Sequence, residues 1–247
     1  MKRSFTAPEE QKGPIVKGID GIIEEMLKHY ETYLPYTPLR DGFTPVANMV
    51  YEKVCGMELP ILTPEQINIF LQATNARHNS QNYSFNTGLL ISKLMQDSYN
   101  AGHSEFRLDT VSLDKQADNI GYGISGTGKR PIQIIITGTA GISLCTHAKH
   151  VTVYAKAIGD WCGMNAQDIT VIAEKVGFGC GDHSLCTTVY ADKVGIYCGF
   201  DSCRMKVHTG KIGKNYGCGE KDIWQFTLKK RSPRMMGKLK RALANGL

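Results

Sequence analysis

The chain has 247 residues, of which 42% are hydrophobic, so it can bury a substantial core as one large domain or two small ones. No apolar run reaches the roughly 20 residues that cross a bilayer, and the first residues lack the apolar stretch of a signal peptide, so we expect a cytoplasmic protein without a transmembrane segment. The net charge of +6 arises from residues 229–247, which hold seven basic and no acidic residues, so we expect no nucleic-acid groove across the body of the protein.

The first hundred residues predict helices, because apolar residues recur at helical spacing between recognisable start and stop signals. The signals are Asp20 and Pro35 for the first helix, Thr44 and Pro45 for the second, Thr63 to Gln66 for the third, and Asn86 and Gly102 for the fourth. The third start is the strongest, since it combines a capping hydroxyl, a first-turn proline and a glutamine three residues after the cap. These helices either form a small packed subdomain or cap the segment that follows.

From about residue 133 the sequence repeats with a period of 18 residues and without gaps. The units begin at Val151, Ile169, Thr187 and Met205. A unit of this length cannot close a core alone, but its β-segments can stack on the next coil at about 4.8 Å. Each shared apolar position then becomes a ladder inside the coil. One such ladder contains Val153, Val171, Val189 and Val207.

Two columns of glycines run through the same repeat. The first contains Gly141, Gly159, Gly177, Gly195 and Gly213 and extends upstream to Gly123; the second contains Gly163, Gly181, Gly199 and Gly217. Such columns indicate corners where the backbone needs a positive φ or where no side chain fits. Within the β-segments, odd positions such as 151 and 153 should face the core and even positions should face outward.

The stretches IGDWCG, VGFGCG and VGIYCG after β-branched strands resemble the repeating unit of GXGXG domains. That family includes the C-terminal domain of the glutamate synthase large subunit and the β-helical subunit of formylmethanofuran dehydrogenase. The resemblance covers residues 86 to 228 and implies a right-handed parallel β-helix that supports catalytic domains without contributing a catalytic side chain.

The predicted fold is therefore α+β, with a helical N-terminal segment followed by a parallel β-solenoid of 18-residue coils. The predicted regions are 1–103 for the helices, 104–228 for the solenoid and 229–247 for a basic tail or capping helix. In the tail, Met235, Leu239 and Leu243 lie on one side of a possible helix. We expect this helix to seal the open end of the solenoid, although an acidic or membrane surface is a second possible target.

Cys162, Cys180 and Cys198 recur at the period of the repeat and should stack on successive coils, with Tyr216 completing the column. Three neighbouring thiolates could hold a soft metal such as zinc or iron. Small thiols also pack well in a buried corner, and packing is the favoured interpretation. The other candidate column is Lys175, Lys193 and Lys211, which could receive an anion or form a solvated edge.

No spacing among the histidines, including His147, His150, His183 and His208, points to a catalytic constellation. The sequence therefore favours a non-catalytic scaffold with no cofactor. Its partners would be other proteins or further copies of the chain, bound through the N-terminal helices and an outer face that includes Tyr154, Trp161 and Tyr190. The competing hypothesis is a subunit of a glutamate synthase-like or other redox or amidotransfer complex, or a metal-binding protein that uses the stacked cysteines.

Overall fold

The computed structural model describes residues 17–33, 43–214, 225–227 and 233–244 of the chain. It confirms the α+β fold, in which helices precede a parallel β-solenoid. The helices are α1 (Lys17–Tyr33), α2 (Phe43–Cys55), α3 (Pro64–Thr74), α4 (Tyr83–Asn100) and α5 (Pro233–Ala244), with a 3-10 turn at Asn75–Arg77. The strands are β1 (Glu105–Leu108), β2 (Ile132–Ala140), β3 (Lys149–Ile158), β4 (Gln167–Val176), β5 (Thr188–Val194), β6 (Lys206–Ile212) and β7 (Gln225–Thr227).

The N-terminal helices form where the sequence predicts them. The capping box before α3 is confirmed: the Gln66 amide donates to the Thr63 hydroxyl at 3.3 Å and the Thr63 amide donates to the Gln66 side chain at 2.9 Å. α1 begins at Lys17, so Asp20 is not its cap but lies within its first turn. The predicted stop at Pro35 lies outside the described residues.

The strands form one parallel sheet in sequence order, from β1 to β7. The predicted stacking is confirmed, because Val153 pairs with Val171, Val171 with Val189 and Val189 with Val207. The period departs from 18 residues at both ends. Ile132 pairs with Val151 before an irregularity between Ile136 and Thr139 restores the spacing, and Lys206 pairs with Gln225. The prediction of a gapless repeat from residue 133 is therefore wrong by one residue at each of these steps.

The first glycine column lies where successive coils approach too closely for a side chain. A Cβ added to Gly159 would lie 2.8 Å from the carbonyl oxygen of Gly141, and one added to Gly177 would lie 2.7 Å from the carbonyl carbon of Gly159. The predicted extension of this column to Gly123 is wrong. The backbone of Ala117 lies against Gly141, and the Gly123 amide instead donates to the carbonyl of Thr146 at 2.8 Å.

The second glycine column lies where the corner needs a left-handed backbone. Gly163, Gly181 and Gly199 have φ values of 68°, 71° and 72°. Gly217 lies outside the described ranges. Residues two before and two after each of these glycines are also left-handed, for example Trp161 and Asn165 around Gly163. A non-glycine residue with positive φ costs free energy locally, so the corner depends on the stacked coils to hold it in this conformation.

The N-terminal helices cap the first coil of the solenoid and share its core. Buried residues of the helices, such as Leu90, and of the strands, such as Ile134, belong to one continuous hydrophobic cluster. α4 also bonds the exposed backbone of the first coil. The Asp118 amide donates to the carbonyl of Ser84 at 2.8 Å, and the Ser125 amide donates to the Gln96 side chain at 2.7 Å. Capping, rather than a separate helical subdomain, is the arrangement that forms.

The C-terminal helix does not lie where we expected it. α5 contacts β2, β3 and β4, so it lies along the outer face of the sheet instead of across the open end of the solenoid. Leu239 is buried, and the Arg107 guanidinium donates to the carbonyl of Ala242 at 3.0 Å. Ile172, at a position predicted to face solvent, is only 1% exposed. The apolar side of α5 thus finds an apolar strip on the sheet, which offers more burial than a single coil end.

We expect Leu239→Ala to lower the free energy of unfolding by about 2–3 kcal/mol, because the substitution leaves a cavity under α5. Leu243→Ala is the matched control, since Leu243 is only partly buried, and it should cost less than about 1 kcal/mol. Urea unfolding followed by circular dichroism measures both values. Equal unfolding midpoints for the two variants would contradict the position of α5 on the sheet.

Candidate functional site

The cysteine column lies inside the solenoid. Cys162, Cys180 and Cys198 are fully buried, and each sulfur is a hydrogen-bond neighbour of the next one in the column. Hydrogen bonding to Cys180, together with burial, raises the pKa of Cys162 and of Cys198. Hydrogen bonds with both neighbours lower the pKa of Cys180 well below its ordinary value. Tyr216, the predicted fourth member, lies outside the described residues.

The column is a stack of buried thiols that hydrogen-bond one another, an arrangement that suits packing. Throughout the described ranges, no group of three or more His, Cys, Asp or Glu side chains is placed so that it could hold a metal ion. Cys145, on the preceding coil, is also buried, and burial raises its pKa to about 12. Thiols whose pKa is raised, such as Cys145, Cys162 and Cys198, stay protonated at neutral pH and are poor metal ligands and poor nucleophiles.

We expect iodoacetamide at neutral pH to separate the cysteines of the native protein into two classes, because only accessible thiolates react. The exposed Cys55 and the partly exposed Cys186 and Cys203 should be labelled, whereas Cys145, Cys162, Cys180 and Cys198 should stay unlabelled. Mass spectrometry of tryptic peptides reads the result, and labelling in guanidinium chloride is the control in which every thiol reacts. A column thiol that reacts as fast as Cys186, or near-stoichiometric zinc or iron in untagged protein, would contradict the packing role.

Four aromatic side chains cover one corner of the solenoid on three successive coils. We call Trp161, Phe178, Tyr197 and Phe200 the aromatic corner. The ring centroids lie 4.5 Å apart for Trp161 and Phe178, 5.3 Å for Phe178 and Tyr197, and 6.1 Å for Tyr197 and Phe200. All four side chains are partly exposed, so the rings contact one another and also present apolar surface to solvent.

The backbone of the corner produces this exposure. Trp161 and Tyr197 have φ values of 60° and 54°. Gly179 has the equivalent position on the coil between them, and a Cβ there would lie 2.5 Å from the Trp161 ring, so its missing side chain makes room for the indole. Ile196 lies beside Tyr197 and is 41% exposed. The apolar side chains of the corner therefore form one contiguous patch on the surface, whereas exposed apolar residues are usually scattered singly.

A cluster of ionisable residues adjoins the aromatic corner. We call Asp182, His183 and Asp201 the acidic cluster. His183 lies between the two carboxylates, with Nδ1 2.9 Å from Asp182 and Nε2 3.5 Å from Asp201 on the next coil. Its ring centroid is 6.2 Å from that of Phe200. Burial raises the pKa of Asp182, whereas His183 is half exposed. The cluster brings two carboxylates of neighbouring coils to one imidazole.

The outer face of the sheet is less open than the sequence predicts. Tyr154 and Tyr190 do lie in register with Ile172 between them, but α5 covers the part of this face formed by β2, β3 and β4. The Tyr190 ring stacks on His208 with centroids 4.6 Å apart. Of the three residues expected to contact partners, Trp161 is the one that belongs to the aromatic corner.

The lysine column forms as predicted. Lys175 pairs in register with Lys193, and Lys193 with Lys211, and all three side chains are exposed. In-register like charges repel one another, so the column opposes the stacking of these strands slightly. The predicted solvated edge is wrong, because β4, β5 and β6 are each paired on both sides. Lys175 and Lys193 lie on the strands that lead into Phe178 and Tyr197 of the aromatic corner.

His147 is partly buried beside the first coil of the solenoid. Burial lowers its pKa, its Nε2 atom is buried without a hydrogen-bond partner, and its ring packs edge-on against Tyr122 at 5.5 Å. Tyr122 in turn donates to the Asn48 side chain at 2.6 Å. His147 therefore belongs to the contact between the first coil and the N-terminal helices, and no nucleophile that it could activate adjoins it among these contacts.

Sequence reasoning identified Trp161 but missed its neighbours in the corner. Trp161 and Tyr197 share one column of the 18-residue alignment, but Gly179 interrupts it, and Phe178 and Phe200 occupy two other columns, so no column is aromatic throughout. The available signal was compositional: each of the segments 159–166, 177–184 and 195–202 carries at least one aromatic residue within two positions of a glycine. The stacking of the coils brings these columns together at the surface.

In the described part of the chain, no helix combines the length and the apolar character needed to cross a membrane. Comparisons with models of protein families, with curated proteins and with solved structures found no match to this chain.

Proposed function

We propose that this protein is a non-catalytic scaffold that assembles with other proteins through the aromatic corner of its solenoid. The observation that carries the proposal is the exposure of a connected set of aromatic rings on a rigid, regularly stacked backbone. Binding hot spots are enriched in aromatic residues, and rigid presentation lowers the entropic cost of association. The kinship to GXGXG domains that the repeat suggests would imply the same supporting role, and it is part of this proposal.

The interior of the solenoid supports the proposal as well. Its columns consist of small apolar residues and buried thiols, which are suited to stacking. The paired histidines use carboxylates of the same or the next coil, as His150 does with Asp168 at 3.5 Å, so they contribute to contacts between coils. A stack of this kind forms an extended surface on which successive coils are evenly spaced, and solenoid proteins bind partners through such surfaces.

The test is purification of the tagged full chain from the cells that produce it, followed by protein identification and analysis for flavin and iron–sulfur. We expect partner polypeptides at a fixed ratio to the chain and no activity or cofactor of the chain alone. A chain that purifies without partners, at the sedimentation coefficient of a monomer, would contradict the scaffold role. Co-purification of glutaminase or flavin-bearing subunits would assign the scaffold to a redox or amidotransfer assembly.

A further inference from the structure

The aromatic corner and the acidic cluster form one surface, because Phe200 belongs to the first and lies next to His183 of the second. The segments that build this surface, 159–166, 177–184 and 195–202, contain three aspartates and no lysine or arginine. The aspartates are Asp160, Asp182 and Asp201. The surface thus combines partly exposed aromatic rings with the exposed carboxylates of Asp160 and Asp201, and Lys214, whose carbonyl accepts from the Tyr197 amide at 3.1 Å, is an exposed cation at its end.

We propose that this surface binds a basic, arginine-containing segment of a partner protein, with guanidinium groups stacked on the aromatic corner and paired with the exposed carboxylates of Asp160 and Asp201. The inference rests on the proposed function and specifies the chemistry of the partner. Aromatic faces attract cations, and the planar, weakly hydrated guanidinium stacks on them better than the ammonium of lysine. Carboxylates beside the rings add charge-assisted hydrogen bonds that only a cationic segment can supply.

The shape of the surface favours an extended segment over a single small cation. The rings lie on three successive coils, whose backbones are spaced at about 4.8 Å, so they form a strip instead of a closed cage. An extended basic peptide lying along this strip could contact Trp161 at one end and Phe200 at the other. A polyanion such as nucleic acid, or an anionic membrane, is repelled by the same aspartates.

Asp201 is held in place for such a segment by contacts that cross between coils. The Asp182 carboxylate is only 10% exposed and lies 2.9 Å from Nδ1 of His183, so it orients the imidazole, and Nε2 of His183 lies 3.5 Å from the exposed Asp201 on the next coil. The pairs cross from one coil to the next, so the two carboxylates keep a fixed separation while the solenoid is folded. Preorganised charges of this kind contribute to specificity and to the association rate.

The experiment uses the full chain and a short fluorescein-labelled peptide of alternating arginine and glycine, with binding read by fluorescence polarisation at low salt. We expect the arginine peptide to bind, a lysine–glycine peptide to bind more weakly and a glutamate–glycine peptide not to bind. Binding should weaken about tenfold or more in the double variant Asp160→Asn with Asp201→Asn. It should also weaken in Trp161→Leu with Phe200→Leu, which keeps apolar bulk but removes the rings.

The matched control is the double variant Glu58→Gln with Glu174→Gln, which changes the net charge by the same amount away from the corner. It should bind like the unmodified chain. Failure of the arginine peptide to bind, an equal loss in this control, or full binding by the leucine variant would each overturn the proposal. Each variant is first checked for an unchanged thermal unfolding midpoint, and the two corner variants alter different residues, so a folding defect in one leaves the other as the test.

Two further outcomes separate this inference from the proposed function. Partners that co-purify equally with the unmodified chain and with the asparagine variant would overturn the inference and leave the scaffold role intact. Self-association in analytical ultracentrifugation that the asparagine variant abolishes would also overturn it, because the occupant would then be the basic region 229–247 of a second copy. Loss of the co-purifying partners in the asparagine variant, with the fold intact, is the result expected in cells.

Discussion

Gly195→Ala should lower the free energy of unfolding by about 3 kcal/mol or more, because a single methyl group has no space between two coils. A Cβ on Gly195 would lie 2.5 Å from the carbonyl oxygen and 2.6 Å from the carbonyl carbon of Gly177. Both are backbone atoms of a neighbouring coil that is held by ladder hydrogen bonds, so they cannot rotate away as a side chain would. Urea unfolding followed by circular dichroism measures the loss.

The matched control for this experiment is Gly128→Ala, at a position where no atom lies within 4 Å of an added Cβ. It should change the free energy of unfolding by less than about 0.5 kcal/mol. Neither glycine has a positive φ, so backbone strain does not contribute to the comparison. If the two variants unfold at the same urea concentration, successive coils do not approach each other at the first glycine column as described.

Gly88→Ala should destabilise the protein as much as Gly195→Ala does, for a different reason. Gly88 lies in α4 against the first coil, and an added Cβ would overlap the carbonyl oxygen of Asp118. Relief requires α4 to move away from the coil, which breaks the bond from the Tyr122 amide to the Ser92 hydroxyl at 3.0 Å. We expect a loss of about 3 kcal/mol or more and faster hydrogen exchange at the amides of Tyr122 and Ser125, which α4 protects.

Gly21→Ala is a control for which we expect the opposite change in the free energy of unfolding. Gly21 is an exposed glycine in α1 with no atom within 4 Å of an added Cβ, so alanine there should stabilise the protein by about 0.5–1 kcal/mol through helix propensity alone. The same chemical change in two helices thus separates propensity from packing. Stabilisation by Gly88→Ala, or unchanged exchange at Tyr122, would show that α4 does not cap the solenoid.

The register of the solenoid could be predicted from the sequence because it is a periodic relation along the chain. Once coils stack, residue n contacts residue n + 18, so distance in sequence encodes contact in space, as it does from Val153 to Val189. The alternation of buried and exposed positions in β3 follows from the same period. The start of α3 could be predicted from the capping box of Thr63 and Gln66, because this motif lies within four consecutive residues.

The placement of the helices could not be predicted in this way. The contact of α5 with β2, β3 and β4 joins surfaces that have no fixed offset in sequence, and the basic, amphipathic composition of the tail fitted an open end equally well. The predicted extension of the first glycine column to Gly123 was wrong for a related reason. The first coil is entered from α4, and the segment around Ala117 replaces a regular turn, so counting 18 residues back from Gly141 reached the wrong glycine.

The sequence by itself determined the parallel stack, its period and the burial of the thiol column, because each depends on contacts between equivalent residues of neighbouring coils. Only the tertiary structure decided which surface the protein presents. Helix α5 covers the outer face around Ile172, and the stacked coils bring Trp161 and Tyr197 of one column together with Phe178 and Phe200 of two others on one corner. Exposure is the surface left when all elements have packed, so it depends on contacts between distant parts of the chain that no repeat encodes.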